Sequence, residues 1–442
     1  MFAVLANPTF ARLFIAQAAA LLGTGLLTVA LGLLAYDLAG ARAGAVLGTA
    51  LTIKMAAYVG LAPLAGALAE RLPRKQVLIA ADLTRAAVAL ALPFVSEVWQ
   101  VYGLIFVLQA ASATFTPAFQ ALIPDVLPNE RDYTNALSLS RLAYDLENLL
   151  SPALAGLLLS VMSFHGLFAG TALGFLVSAA LVLLAALPPR SRHDRERRFS
   201  ERLTRGLHIY LATPRLRGLL ALNGTAAAAG AFVIVNTVVM VRSGYGGSET
   251  DLTLALAAFG AGSMATALAL PQVLMRLSDR AAMTGAAQAL AVLMLAHAGW
   301  IAAFGLLPWP GFLTLWTLSG GLYSGILTPS GRLLRRSARE ADLACVFAAQ
   351  FALSHACWLV AYPVAGWAGA GFGIVSTLAL LGGTALAAAL AAPRLWPADT
   401  GAEIAHDHPD LPADHPHLAE GGRHHAHVFV IDDEHRAWPT QG

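Results

Sequence analysis

The residues of this chain that could most clearly carry out chemistry are the charged side chains inside long apolar runs. Lys54 is the only charged residue between Arg42 and Glu70. An ammonium group in the middle of a membrane helix costs about 2.5–3.5 kcal/mol on insertion scales, so it should face a cavity or a partner. We expect Lys54 to act in coupling or anion binding. The alternative is a lysine that pairs structurally across a helix bundle or extends toward one end of its helix.

A second group of charges lies in SLSRLAYDLENLLSPALAG, residues 138–156. At helical spacing, Arg141, Asp145 and Asn148 share one face, whereas Glu147 lies on another. Arg141 can neutralise Asp145, as a structural pair or as part of a pathway. A second carboxylate that stays buried is suited to proton uptake. We therefore interpret Glu147 as the proton carrier, with a structural role as the alternative.

Three further titratable residues lie in or beside apolar segments. Asp37 ends the first segment and is expected at the outer mouth of a pathway, or as a solvated cap of the next helix. His297 and His355 lie in apolar segments of the second half of the chain. An imidazole there could shuttle a proton or bind a soft divalent ion, although hydrogen bonding within a bundle is its more common role.

The end of the chain holds a cluster of possible metal ligands. Eight of the 13 histidines fall within 30 residues: His406, His408, His415, His417, His424, His425, His427 and His435. Imidazoles interspersed with carboxylates suit nickel, cobalt, copper or zinc. Their irregular spacing and the acidic residues between them argue against an expression tag. A solvated, pH-sensitive tail without metal is the alternative.

The amino-acid composition indicates the class of protein that positions these residues. Of the 442 residues, 57% are hydrophobic and only 12% are charged, against roughly 25% in an ordinary soluble domain. The mean hydropathy is +0.65, which excludes a water-soluble globule. Two cysteines, Cys345 and Cys357, both in apolar stretches, offer no disulfide framework and are expected only to pack.

The apolar residues fall into twelve segments of about the 20 residues that cross a bilayer. Their approximate bounds are 10–36, 44–69, 77–95, 99–122, 136–161, 166–187, 217–241, 252–275, 282–306, 309–331, 341–368 and 371–392. The sequence thus predicts an all-α polytopic membrane protein with two pseudo-symmetric halves of six helices each. The expected domains are 1–189, a basic and partly amphipathic linker 190–216, a second half 217–395 and a disordered cytoplasmic tail 396–442 in which 428–431 can dock.

Arginine and lysine set the expected orientation. Placing the amino terminus in the cytoplasm puts most of the basic loop residues on that side, whereas the opposite loops hold little more than Arg42 and Arg242. This asymmetry follows the positive-inside rule and predicts that both termini are cytoplasmic.

The loop between the second and third segments supports a family resemblance. GALAERLPRKQ, residues 66–76, and a degenerate copy, LMRLSDRAAM, in the equivalent loop of the second half resemble the loop motif of the major facilitator superfamily. An internal duplication predicts such a pair. The resemblance implies that this motif is a charged latch that breaks during alternating access. Its residues here are Gly66, Glu70, Arg71, Arg74, Asp82, Arg85, Asp279 and Arg280.

More narrowly, NPTFARLFIAQ near the start and TFTPAFQALIPDVLPNE after the fourth segment are similar to the third drug:proton antiporter family, which includes macrolide, siderophore and nickel-resistance exporters. Two positions depart from that pattern. Phe106 stands where drug antiporters carry an arginine, and Ser151-Pro152 replaces their Gly-Pro.

The resemblance implies a proton-coupled exporter in a bacterial inner membrane, a monomer that works by alternating access, with nickel or cobalt as one possible cargo. An amphipathic organic cargo, such as a drug, macrolide or siderophore, is the alternative, and the tail would then be regulatory. A non-transporting metal sensor is a third hypothesis. The sequence shows neither a nucleotide-binding motif nor an acid–base or nucleophile pattern, so we expect no enzyme, no required cofactor beyond a possible tail metal, and no nucleic-acid partner.

Overall fold

The computed structural model shows a helical protein with a small β-hairpin near its carboxyl end. The residues that it describes are 2–69, 73–120, 122–127, 129, 132, 135–136, 139–140, 143, 147, 151, 154–187, 199–339, 342–398, 403–407, 424–432, 434–435 and 438–439. Arg141, Asp145, Glu70 and Arg71 lie outside the described residues, as do the tail histidines His408, His415 and His417.

Long helices make up the first half. They are α1 (Pro8–Ala39), α2 (Ala43–Ala69), α3 (Arg74–Ala91), α4 (Val98–Gln120), the short α5 (Ile123–Val126) and α6 (Phe164–Leu184). The start of α1 is fixed by Asn7, whose side chain accepts hydrogen bonds from the backbone N–H groups of Thr9 and Phe10. Glu147 and Ser151, from the fifth apolar segment, are also in helical conformation.

The second half repeats this plan after a linker helix. Its elements are the linker helix α7 (Phe199–Ala212), then α8 (Pro214–Val239), α9 (Glu249–Val273), α10 (Asp279–Phe304), α11 (Trp309–Leu327), the short α12 (Ser330–Arg335), α13 (Leu343–Pro363) and α14 (Gly369–Leu395). Ser248 and Asp251 form a reciprocal capping box at the start of α9.

Eight stretches of the described residues are long and apolar enough to cross a membrane. Two of them, Pro8–Gly60 and Cys345–Leu395, span 53 and 51 residues and each contains parts of two helices. These findings establish a polytopic helical membrane protein. The count of twelve spans stays a prediction, because much of the fifth segment lies outside the described residues and α11 is not among the eight stretches.

The linker helix α7 is amphipathic, as expected, but it is not simply solvated. Ile209 and Tyr210 are buried, and the Tyr210 hydroxyl donates to Gln350 Oε1 on α13 at 2.5 Å. Burial raises the pKa of this phenol. Arg205 forms an ion pair with Asp342 at 2.5 Å. The linker therefore packs along the start of α13.

The tail departs from the expected disorder. Strands β1 (Glu403–Asp407) and β2 (His424–Val428) pair antiparallel, with His406 opposite His425. The chain then returns to the second half, where Phe429 and Ile431 are buried in the main hydrophobic core. Phe429 and Ile431 supply apolar side chains that make this docking favourable. They belong to the run at 428–431 that the sequence suggested could dock.

Candidate functional site

The two halves meet at the end of the bundle that carries the loop Gly40–Arg42, which we call the closed end. There the Arg242 guanidinium lies over the Tyr36 ring, 5.3 Å from its centroid. The Ser243 hydroxyl donates to the Tyr36 hydroxyl at 3.2 Å. Gly44 of α2 lies beside Asn236 of α8. The last residues of α1 and α8 thus tie the halves together.

Helices α2 and α13 approach most closely at a pair of glycines at the closed end. A Cβ atom added to Gly48 would lie 2.7 Å from the Tyr362 carbonyl oxygen and 2.9 Å from the Gly366 Cα. Gly366 lies in a π-helical turn, Val364–Ala368, that follows α13. Trp367, in the same turn, donates from Nε1 to the Thr49 hydroxyl at 3.0 Å. Only glycine allows this backbone contact.

A third glycine contact joins the fifth segment to α9. A Cβ atom on Gly156 would lie 2.9 Å from Thr253 Oγ1. Thr253 itself is buried. All these contacts lie at one end of the bundle.

The middle of the bundle, between the halves, holds a polar cluster. Lys54 of α2 and Glu147 of the fifth segment are half-buried and lie close enough for their charges to influence each other. The Lys54 charge also acts on His355 of α13, in the other half. The fold therefore brings together three residues that the sequence had flagged separately. We call Lys54, Glu147 and His355 the central cluster.

Aromatic rings and one glycine position the central cluster. His355 Nδ1 lies 2.7 Å from the Phe351 carbonyl oxygen, and its ring centroid lies 3.9 Å from that of Phe351. The Tyr58 ring of α2 lies 5.6 Å from the same imidazole. On the other side, a Cβ on Gly25 would lie 3.5 Å from Glu147 Cγ, so α1 packs directly against the carboxylate-bearing helix.

His297 does not join the central cluster. It is buried within the second half, and its Nε2 has no hydrogen-bond partner in the part of the chain that the structure describes. Its ring meets the Trp316 ring edge to face at 5.9 Å, beside a small cavity of about 20 Å³. That volume holds about one water molecule. The structure thus places His297 in a packed core and not with the pathway residues.

Asp37 also lies apart from the central cluster. Its side chain is exposed at the end of α1, next to the Tyr36 contact. Asp37 therefore lies at the end of its helix, where the sequence predicted the outer mouth of a pathway. In this structure that end of the bundle is the closed end.

The latch residues of the first half form two ion pairs. Arg74 pairs with Asp125, and Lys75 donates to the Ala185 carbonyl oxygen at 2.9 Å. Sequence reasoning missed Asp125 as the partner. Gly66 lies near the end of α2.

The second ion pair is fully enclosed. Asp82 pairs with Arg85, and Ser178 of α6 donates to Asp82 Oδ2 at 2.7 Å. The Arg85 guanidinium lies between the rings of Phe115 and Phe175, at 4.3 and 4.5 Å from their centroids. This pair was expected from its i, i+3 spacing, whereas its aromatic enclosure was not.

In the second half, Asp279 and Arg280 contact different partners. Asp279 pairs with Arg332 and Arg336, which follow α11. Arg280 instead donates to the Trp396 and Pro393 carbonyl oxygens at 2.5 and 3.1 Å. The end that carries these arginines and Arg74 is called the basic end.

The tail contributes one compact group of possible metal ligands. Asp432, Glu434 and His435 each offer a ligand atom within 4.8 Å of the others. Asp432 also accepts from His435 Nδ1 at 2.8 Å and pairs with Arg339 at 2.6 Å. Burial would raise the pKa of Asp432, but the hydrogen bonds from His435 and the charges of His435 and Arg339 outweigh it and lower the pKa to about 2.

The other described tail histidines lie on the hairpin. His424 Nδ1 is 2.7 Å from Asp407 Oδ1, and β2 also carries His425 and His427. His406 on β1 occupies the position opposite His425. Sequence reasoning identified the histidines, but it missed Asp432 and Glu434 because it ranked ligands by histidine content.

Comparison with known proteins gives a consistent family. The model of a family described as the Major Facilitator Superfamily matches residues 13–310. An uncharacterised MFS-type transporter, YfiS, of Bacillus subtilis (strain 168) is 34% identical over 128 residues, which cover 29% of this chain and 30% of that protein. Macrolide efflux protein A of Streptococcus pyogenes is 31% identical over 152 residues, which cover 32% of this chain and 37% of that protein. The chain therefore matches about a third of the length of each relative.

Among solved structures, a D-xylose–proton symporter has a TM-score of 0.65 at 14% sequence identity, covering 88% of this chain and 98% of the symporter. At that identity the likeness concerns the fold alone. The comparisons point to a transporter architecture and not to an enzyme.

Proposed function

The chain belongs to the Major Facilitator Superfamily, and we propose that it is a proton-coupled exporter of an amphipathic organic compound that works by alternating access. The central cluster carries this proposal, because it joins a lysine, a carboxylate and a histidine at the interface between the two halves. A charged group at that depth is expected to have a transport role.

Proton coupling follows from the chemistry of the central cluster. While Glu147 is ionised, its charge attracts that of Lys54. A proton that binds to Glu147 removes this attraction and leaves the Lys54 ammonium group free to interact with the cargo. His355 contributes from the opposite half, so the charge state of the cluster bears on both halves at once. Glu147 is the proposed proton carrier and Lys54 its charge partner.

Alternating access needs contacts that hold one end while the other opens. The glycine contacts and the Tyr36–Arg242 pair hold the closed end. The Arg74–Asp125 and Asp279–Arg332 pairs lie at the basic end of each half, where each can hold its helices in one arrangement. We propose that these ion pairs are exchanged during the transport cycle.

The basic end faces the cytoplasm in this proposal, because positively charged loops are retained there. Both termini then lie in the cytoplasm of a bacterium, and the protein, as a monomer, is inserted in the inner membrane. An exporter must load cargo from the cytoplasm, and a bundle closed at the far end suits that step.

The nature of the cargo follows from the lining of the central cluster. Tyr58 and Phe351 present aromatic surface beside one ammonium and one carboxylate, which suits an amphipathic organic molecule. The macrolide efflux relatives support an organic cargo. Nickel or cobalt is the second candidate, favoured by the Asp432–Glu434–His435 group, which we propose as a divalent-metal site on the tail.

The decisive experiment is cargo export from bacteria that lack their own exporters. Cells with the full chain should accumulate less labelled macrolide than empty-vector cells, and an uncoupler should abolish the difference. Parallel measurement of nickel and cobalt tests the second cargo. Lower macrolide levels that persist with the uncoupler would refute proton coupling. Lower metal levels with unchanged macrolide would replace the organic cargo by metal.

Glu147→Gln tests the coupling residue, because glutamine keeps the shape of the side chain but cannot carry a proton. We expect this variant to lose proton-driven export while membrane levels and thermal stability stay near those of the parent protein. Glu97→Gln, an exposed carboxylate outside the central cluster, is the matched control and should export normally. Retained export in Glu147→Gln would refute the assignment.

A further inference from the structure

A pocket at the basic end of the second half concentrates positive charge. It has a volume of about 400 Å³ and lies between the end of α9, the start of α10, α12 and the chain after α14. Among the described residues, four arginines and a single aspartate line it: Arg215, Arg280, Arg332, Arg336 and Asp279. The formal charge of these described lining residues is +3, from four positive groups and one negative.

The hydrogen bonds of these arginines fix their positions without neutralising their charge. Arg280 donates to two carbonyl oxygens at the end of α14. Arg215 donates to the Arg336 carbonyl oxygen at 2.6 Å and to the Ser337 hydroxyl at 2.8 Å. A carbonyl or hydroxyl oxygen carries no formal charge, so both guanidiniums keep their attraction for an anion.

Arg336 is the arginine best placed to receive a ligand. Its Nη1 lies 3.4 Å from Asp279 Oδ2, and 63% of its side chain is exposed. Arg332 makes the closer, two-point contact with the same carboxylate. The single carboxylate is thus satisfied by Arg332, and Arg336 remains open toward the pocket.

The rim of the pocket is apolar. Leu274 and Leu277 line it, and the side chains around them at the end of α9 are turned outward. Met275 is 79% exposed, Leu277 50% and Val273 39%. Because α9 is a membrane-spanning stretch, this surface lies where acyl chains run. Trp396, which is buried, completes the lining beside Arg280.

We propose that this pocket binds the phosphate headgroup of an anionic phospholipid, with the acyl chains lying along the end of α9. Guanidinium groups bind phosphate oxygens through paired, charge-assisted hydrogen bonds, and basic pockets at the cytoplasmic side of transmembrane helices bind anionic headgroups. The site shares Asp279 and Arg332 with the ion pair that we propose is exchanged during transport, but it is separate from the central cluster. Its test measures lipid binding and not transport, so the two proposals can fail independently.

Binding can be measured on the full-length protein in detergent by native mass spectrometry. Phosphatidylglycerol is titrated against phosphatidylcholine, and inorganic phosphate is added in a separate series. We expect phosphatidylglycerol to bind at one preferred site. Arg336→Gln should weaken that binding about tenfold, which corresponds to about 1.4 kcal/mol. Asp279→Asn should strengthen it, because among the described residues Asp279 is the one carboxylate that lines the pocket.

Arg335→Gln is the matched control, since it removes the same charge from the same helix at a position that does not line the pocket. It should leave phosphatidylglycerol binding within about twofold. Equal binding of the two lipids, or equal weakening by Arg335→Gln and Arg336→Gln, would overturn the site. Inorganic phosphate that binds as tightly as phosphatidylglycerol would show a free-phosphate site and overturn the lipid assignment.

Discussion

The contact between Gly48 and Gly366 makes a quantitative prediction about the conformational equilibrium. Gly48→Ala would place a Cβ atom 2.7 Å from the Tyr362 carbonyl oxygen and 2.9 Å from the Gly366 Cα. Both neighbours are backbone atoms, which cannot turn aside as a flexible side chain does. Overpacking of this kind costs typically about 1–3 kcal/mol.

That cost falls on only one state of the protein. The two glycines face each other across the two halves, so the clash is present when the closed end is closed and is relieved when it opens. A differential free energy of about 1–3 kcal/mol shifts a two-state equilibrium about 5–150-fold. We therefore expect Gly48→Ala to raise, by this factor, the ratio of molecules in which the closed end has opened to molecules in which it stays closed.

The shift can be measured through the accessibility of a cysteine introduced at the closed end. Thr253→Cys reports on the contact with Gly156, because Thr253 is buried at the closed end, and labelling by a membrane-impermeant maleimide should become faster when Gly48→Ala is added. The native Cys345 and Cys357 are replaced by alanine or serine beforehand to remove background. Labelling is compared at equal protein levels.

Gly60→Ala is the matched control, because Gly60 lies on the same helix and an added Cβ there meets no atom of the described residues within 4 Å. It should leave the labelling rate unchanged. Equal labelling of Gly48→Ala and the parent would refute the inference that this glycine contact holds the closed end. Faster labelling with Gly60→Ala as well would show a general effect of helix substitution and refute it equally.

Two further predictions concern buried ion pairs. Asp82→Asn leaves the Arg85 guanidinium between two aromatic rings without its counter-charge, which should lower the free energy of unfolding by about 3–5 kcal/mol. Thermal unfolding in detergent should therefore show a lower Tm. Adding Arg85→Gln should recover part of the lost stability, because it removes the unpaired charge. At the tail, the ionised Asp432 stabilises docking, because its pKa is lowered to about 2 from an unfolded value near 3.9. Its contribution of about 2–3 kcal/mol is complete above that unfolded pKa and is lost as the pH falls through about 2, so limited proteolysis at neutral pH should release the tail faster in Asp432→Asn than in the parent. Unchanged Tm or unchanged proteolysis would contradict the respective role.

The family and the membrane architecture were accessible from sequence because they depend on local patterns. A bilayer requires long apolar helices, and their length and composition are visible in any window of about 20 residues. The loop motif around residues 66–76 identified the family that the comparison with known proteins then established. For the tail, composition predicted disorder, whereas the described tail residues include two paired strands and the run at 428–431 that the sequence suggested could dock. The short run at 428–431 decides its docking, because buried area depends on a few large apolar side chains and not on the average.

The sequence determined by itself which residues are unusual: Lys54, Glu147 and His355 stand out because charged or titratable groups are costly in apolar surroundings. It could not determine that these three come together, since they lie on three helices far apart in the chain and only helix packing sets their distances. The same limit applies to Asp279, whose partner is the distant Arg332 and not the adjacent Arg280. Neighbouring residues on a helix point in different directions, so the tertiary structure alone decides which charges meet.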